Sequence, residues 1–139
     1  MTLWMWAALT ALIWGIVPIL EKWGLAGATA PSVGVFLRSA GVAVGALLVA
    51  LAAKPWAAMA QVPRRSILLL AAGGFLASFV GQMAFYHALK HGEVSRVAPL
   101  VGTYPLVAAV LGWWLLHEPL TVARAVGVLL VVGGVALLR

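Results

Sequence analysis

Only three carboxylates occur in this chain of 139 residues, Glu21, Glu93 and Glu118, and cysteine is absent. Each acid is therefore a candidate for proton exchange or ion pairing. Glu21 ends one long apolar run and Arg38 stands inside the next. A guanidinium surrounded by hydrocarbon is unfavourable by roughly 2.5 to 3.5 kcal/mol on insertion scales, so Arg38 needs water, a carbonyl or an acid. Helix counting puts Glu21 and Arg38 on the same side of the membrane, within reach of a long Arg side chain. Two chemistries fit: a fixed ion pair, or an acid that exchanges a proton as a cavity opens. The fixed pair is the preferred reading. Glu118 sits in a Glu-Pro turn, where its carboxylate would favour the positive start of the following helix, and Glu93 reads as a solvated loop residue.

His87 and His91 are four residues apart, a spacing that could hold a metal at a helix end. No Cys or acid completes the usual three or four ligands, so neither a metal site nor a cofactor is expected. There is no glycine-rich loop followed by Lys-Ser/Thr to cradle a nucleotide, and no nucleophile-base-acid set. The chain does not read as an enzyme. Trp14, Pro18, Arg38, Gln82, Tyr86 and Tyr104 are the candidates for contact with a solute. Their aromatic, amide and cationic groups suit a small organic molecule with apolar and hydrogen-bonding parts. Each would serve equally well as packing or as an interface anchor.

These residues must be positioned by helices. Hydrophobic residues make up 65% of the chain against 9% charged, with seven Trp, far from soluble averages. The apolar segments lack a polar face of helical period, which excludes a soluble bundle. Val97 to Leu116 contains no charged residue, and twenty residues at about 1.5 Å each cover roughly the 30 Å of a bilayer core. The expected fold is all-α, a polytopic integral membrane protein with five transmembrane helices over about 3–21 or a little beyond, 32–53, 66–89, 97–116 and 121–138. No Lys or Arg precedes the first run, so it is expected to stay as a span and not to act as a cleaved signal. The net charge of +6 comes from Lys22, Lys54, Arg64, Arg65, Lys90, Arg96, Arg124 and Arg139 at segment ends, with Arg38 inside. This placement suits lipid phosphates and argues against nucleic acid.

Along the chain, Thr10, Trp14, Pro18 and Glu21 share one arc of the first helix, with Pro18 expected to loosen it near Trp14. Gly34, Arg38, Gly41 and Gly45 share a face of the second, open to close approach by another backbone. Lys54 to Arg65 reads as an interfacial loop. In the third helix Gly74, Ser78, Gln82 and Tyr86 form a drifting polar stripe. The fourth carries a face of Ala98, Gly102, Pro105, Ala109 and Gly112 and should kink at Pro105; Thr121 should cap the fifth.

Several short motifs occur in a telling order: Ile13-Trp14-Gly15, Leu37-Arg38, Ala88-Leu89-Lys90-His91-Gly92, Val97-Ala98-Pro99-Leu100, Pro105, and Leu116-His117-Glu118-Pro119-Leu120. Together they resemble the EamA-like half of the drug/metabolite transporter superfamily over essentially the whole chain. The resemblance implies one half of a ten-helix inverted repeat, 1–139 forming a single five-helix domain, with a solute cavity between oppositely inserted halves. Family solutes include amino acids, nucleotide sugars, other metabolites and drugs. It further implies a secondary transporter or exporter working by alternating access in a bacterial inner membrane, as an antiparallel homodimer or with a second half-length chain. A non-transporting membrane subunit is the alternative. The small multidrug-resistance relatives use an acid deep in helix one; here Trp14 and its neighbours hold that depth. Basic residues do not choose an orientation, because Lys54, Arg64, Arg65 and Arg124 on one side balance Lys22, Lys90, Arg96 and Arg139 on the other. The Pro63-Arg64-Arg65 cluster favours one fixed orientation, which would call for a different half-length partner.

Overall fold

The computed structural model describes residues 2–119 and 121–137. Among them every regular element is helical, and two compact units separate between His91 and Gly92. The first unit holds α1 (Leu3–Gly24), α2 (Pro31–Ala53), α3 (Trp56–Ala60), α4 (Arg64–Phe75), a π-helical segment (Leu76–Gly81) and α5 (Gln82–His91). The second holds α6 (Val94–Val101), α7 (Tyr104–Leu116) and α8 (Val122–Ala136).

Local chemistry explains most of the boundaries. The turn after α1 uses Gly27 at φ 67, a left-handed conformation that glycine adopts without steric cost. Pro31 opens α2 at its first position, where a missing N–H costs nothing. That helix ends at Lys54, left-handed at φ 45, because Pro55 disfavours right-handed helix in the residue before it. Pro18 does not interrupt α1, which runs unbroken to Gly24.

Three features depart from the expected spans. The 54–65 connection contains the short helix α3, flanked by Pro55 and Pro63. The third span, Arg64–His91, is continuous but widens into a π turn over Leu76–Gly81, which resets the rotational phase of α5. Phe75 and Phe79 stack across that turn with ring centroids 5.4 Å apart. The fourth span begins at Val94, and its helix breaks at Gly102 and Thr103, before Pro105 instead of at it. The proline ring would collide with the carbonyl of Val101, and its nitrogen has no hydrogen to bond it. Pro105 therefore becomes the second residue of a new helix.

Four segments, Leu3–Gly24, Pro31–Ala53, Arg64–His91 and Val94–Leu116, are long and apolar enough to cross a bilayer; Val122–Ala136 is a shorter apolar helix. The expected end of the last span, Leu138, lies outside the described residues. Burial supports the same conclusion. Leu25, Val35, Tyr86, Leu89 and Val97, with Pro18 of α1, are the buried apolar side chains among those described, while most Leu, Val, Phe and Trp are exposed. Apolar surface on this scale cannot face water in a stable monomer, so lipid or another chain must cover it.

Candidate functional site

The first unit contains one polar centre, assembled from three spans. Glu21 enters from the last turn of α1, Arg38 from the second turn of α2, and Gln82 with Tyr86 from consecutive turns of α5. The last three converge on a single oxygen of Glu21. Gln82 Nε2 and Tyr86 Oη each donate to Glu21 Oε1 at 2.9 Å, and Arg38 Nε lies 3.3 Å from the same atom. The Glu21 side chain is only 9% exposed, that of Arg38 31%.

The centre is incompletely satisfied. Glu21 Oε2 and Arg38 Nη1 are both buried without a hydrogen-bond partner. A carboxylate offers about four lone-pair sites and a guanidinium five N–H donors, so both groups keep unused capacity. Such a buried, unpaired polar atom costs about 1 to 3 kcal/mol, and more when charged. Beside them lies a cavity of about 340 Å³, lined by Leu20, Gly24, Leu25, Thr29, Gly34 and Leu37 together with Glu21, Arg38 and Tyr86.

Packing holds the centre in place. Tyr86 is buried against Gly34 so closely that a Cβ on residue 34 would stand 2.8 Å from the Tyr86 ring and from Leu25. Only glycine lets the phenol seat beneath α2 with its hydroxyl on Glu21. Leu25, Val35 and Leu89 complete the small apolar core at this end. Two lysines tie the same end together: Lys22 Nζ donates to the Leu89 carbonyl, and Lys90 Nζ donates to the Thr29 carbonyl at 2.6 Å. Both were expected to face lipid phosphates. Instead they supply donors to main-chain oxygens that helix ends and turns leave open.

The remaining sequence candidates lie elsewhere. Trp14 is 61% exposed on α1, and Pro18 is buried in that helix; neither lines the cavity. Tyr104 opens α7 in the second unit and is exposed. Sequence reasoning did not single out Leu20, Leu25 or Thr29 as cavity lining, and the small-residue face containing Gly34 was the signal for close approach there. Among the described residues no three His, Asp or Glu side chains gather into a metal-binding group.

The second unit uses its acids differently. Glu93 precedes α6 and stands 3.5 Å from Arg96, both exposed. Glu118 follows the left-handed His117 that ends α7, and the His117 and Glu118 amides both bond the Gly112 carbonyl. Thr121 caps α8 by accepting from the Arg124 amide at 3.3 Å, while the Arg124 side chain donates to the Pro119 carbonyl at 3.0 Å and lies 4.0 Å from Glu118. Glu118 also borders a groove of about 560 Å³ walled by Ala108, Ala109, Gly112 and Leu115.

Apolar spans that bring together a largely buried acid, a partly exposed guanidinium, an amide and a buried phenol define a polytopic α-helical membrane protein with a polar centre among its helices. Residues 2–139 match the EamA-like transporter family, and the chain belongs to it. It is a membrane transporter of the drug/metabolite superfamily. A protein of a Sinorhizobium species described as an uncharacterized transporter in the cobO 3′ region is 31% identical over 133 residues, covering 96% of this chain and 93% of that protein. No solved structure matches the chain.

Proposed function

We propose that the chain is one half of a secondary transporter that moves a small organic solute by alternating access across a bacterial inner membrane, with two five-helix halves paired in opposite orientation. The observation that carries the reading is the convergence of Glu21, Arg38, Gln82 and Tyr86 from three apolar spans beside a cavity. Polar and charged groups within apolar spans are costly, and transporters place them where a solute must be recognised. In this reading Arg38 and Tyr86 face the solute from the cavity wall, Gln82 braces Glu21, and Trp14 and Pro18 shape the path along α1. The exposed apolar faces of the helices leave room for a second half to complete the vessel.

The test is flux in proteoliposomes. Amino acids, sugars and cationic drugs would be screened for entry with the wild-type chain, then with Arg38→Ala and Gln82→Ala. A transported class that both variants lose, while still assembling, supports the reading; full flux in assembled variants overturns the site. Because the chain lacks cysteine, Gln61→Cys labelled from one side by an impermeant maleimide reports orientation. Half labelling before permeabilisation fits opposed insertion. All-or-none labelling removes it and requires a different half-length partner.

A further inference from the structure

We infer that the cavity beside Glu21 and Arg38 binds an uncharged group that is hydrogen-bond donor and acceptor at once, a carboxamide being the simplest example, on a small apolar body. The inference rests on the transport reading for its physiological meaning and deepens it by naming a class of solute.

Three donors crowd onto Glu21 Oε1, while Oε2, on a side chain more than nine-tenths buried, accepts nothing. Arg38 engages Glu21 through Nε and leaves Nη1 without an acceptor. The centre thus has one acceptor and one donor unfilled on two residues that both line the cavity; the two atoms lie behind its surface, so a solute reaches them as the Glu21 carboxylate and the Arg38 guanidinium turn toward it. A carboxamide brings N–H for the first and C=O for the second in a single planar group. The charges also select. Glu21 and Arg38 cancel, and no other lining residue is charged; the nearby lysines Lys22 and Lys90 do not line the cavity and reach main-chain carbonyls. A cation or an anion entering this neutral, largely apolar space would give up part of its hydration without gaining a net counter-charge, whereas an amide would lose far less. Leu20, Leu25 and Leu37 give most of the remaining lining apolar contact, with Thr29 and Tyr86 adding uncharged hydroxyls, and the volume is at the small end for a ligand pocket.

Three near-isosteric probes separate the alternatives: phenylacetamide, phenylacetate and 2-phenylethylammonium, titrated into the purified protein in detergent by calorimetry, so that no flux is needed. The wild-type chain should bind the amide at least about tenfold more tightly than either charged probe. Glu21→Gln leaves the centre net positive and should move the preference to phenylacetate. Arg38→Gln leaves it net negative and should move the preference to phenylethylammonium. A charged probe binding the wild type as tightly as the amide, or no binding of any probe, overturns the inference, and the wild-type arm decides this even if a variant fails to fold. Amide binding without flux in vesicles would sink the transport reading and leave the site standing. Flux of another solute without amide binding would do the reverse.

Discussion

Two Arg–Glu pairs in this chain look alike on paper and differ in almost every physical respect. Arg124 and Glu118 meet at 4.0 Å with both side chains more than half exposed, on a turn between two helices. Arg38 and Glu21 meet at 3.3 Å, with the acid buried and two further donors on the same oxygen. In water a pair gains little, because solvent screens the attraction and the long side chains lose freedom. In a buried site the gross attraction is larger, but so is the penalty of removing each charge from water. The inner pair therefore binds its two residues to one another's presence, while the outer pair is nearly optional.

Breaking the inner pair should have the largest effect. Arg38→Ala leaves Glu21 buried without its counter-charge and should destabilise the first unit by about 3 to 5 kcal/mol, measured as thermal unfolding in detergent. The double replacement Glu21→Leu with Arg38→Met removes both charges; it should recover most of that stability while abolishing transport. If the double variant unfolds as early as the single one, desolvation is not what governs this site.

Next in size comes Gly34→Ala. Its methyl would sit 2.8 Å from the Tyr86 ring and Leu25, and over-packing of this kind costs about 1 to 3 kcal/mol. Flux should fall along with the melting temperature. A variant of unchanged stability would show that Tyr86 moves aside freely. Tyr86→Phe keeps the ring and deletes one hydrogen bond to a carboxylate, for an expected loss of about 1.5 kcal/mol. Smallest of all, Arg124→Gln should cost less than about 1 kcal/mol. A loss there as large as that of Arg38→Ala would erase the contrast between the two pairs.

Much of the fold was legible because lipid imposes a simple demand. Long apolar runs must be helical when no water is present to satisfy the backbone, and their lengths follow from bilayer thickness. Proline and glycine marked the turns at Gly27, Pro31 and Pro55. The break at Gly102 and Thr103 was harder to place, since Pro105 signals a disruption but the collision falls four residues upstream. The π turn over Leu76–Gly81 left no trace in the pattern: Gly74, Ser78, Gln82 and Tyr86 repeat every four residues, which reads as ordinary helix.

The candidate site was half legible. Helix counting brings Glu21 and Arg38 to one level because both positions are measured from the same short turn. Gln82 and Tyr86 drew notice as polar residues in a span, yet nothing in their spacing says that they donate to Glu21. Thr29 and Leu25 belong to a turn, where periodicity carries no information about neighbours.

The amino-acid sequence alone determined that this polypeptide crosses a membrane, that its spans are helices, and that a guanidinium inside one of them needs a partner. Each of these follows from transfer free energies and chain length, quantities that belong to residues in order. Only the tertiary structure decided that three donors share one carboxylate oxygen, that Gly34 makes room for Tyr86, and that an acceptor and a donor remain unfilled beside a cavity. Those facts depend on the phase and separation of packed helices, and a one-residue shift in either, invisible in the order of letters, would erase them.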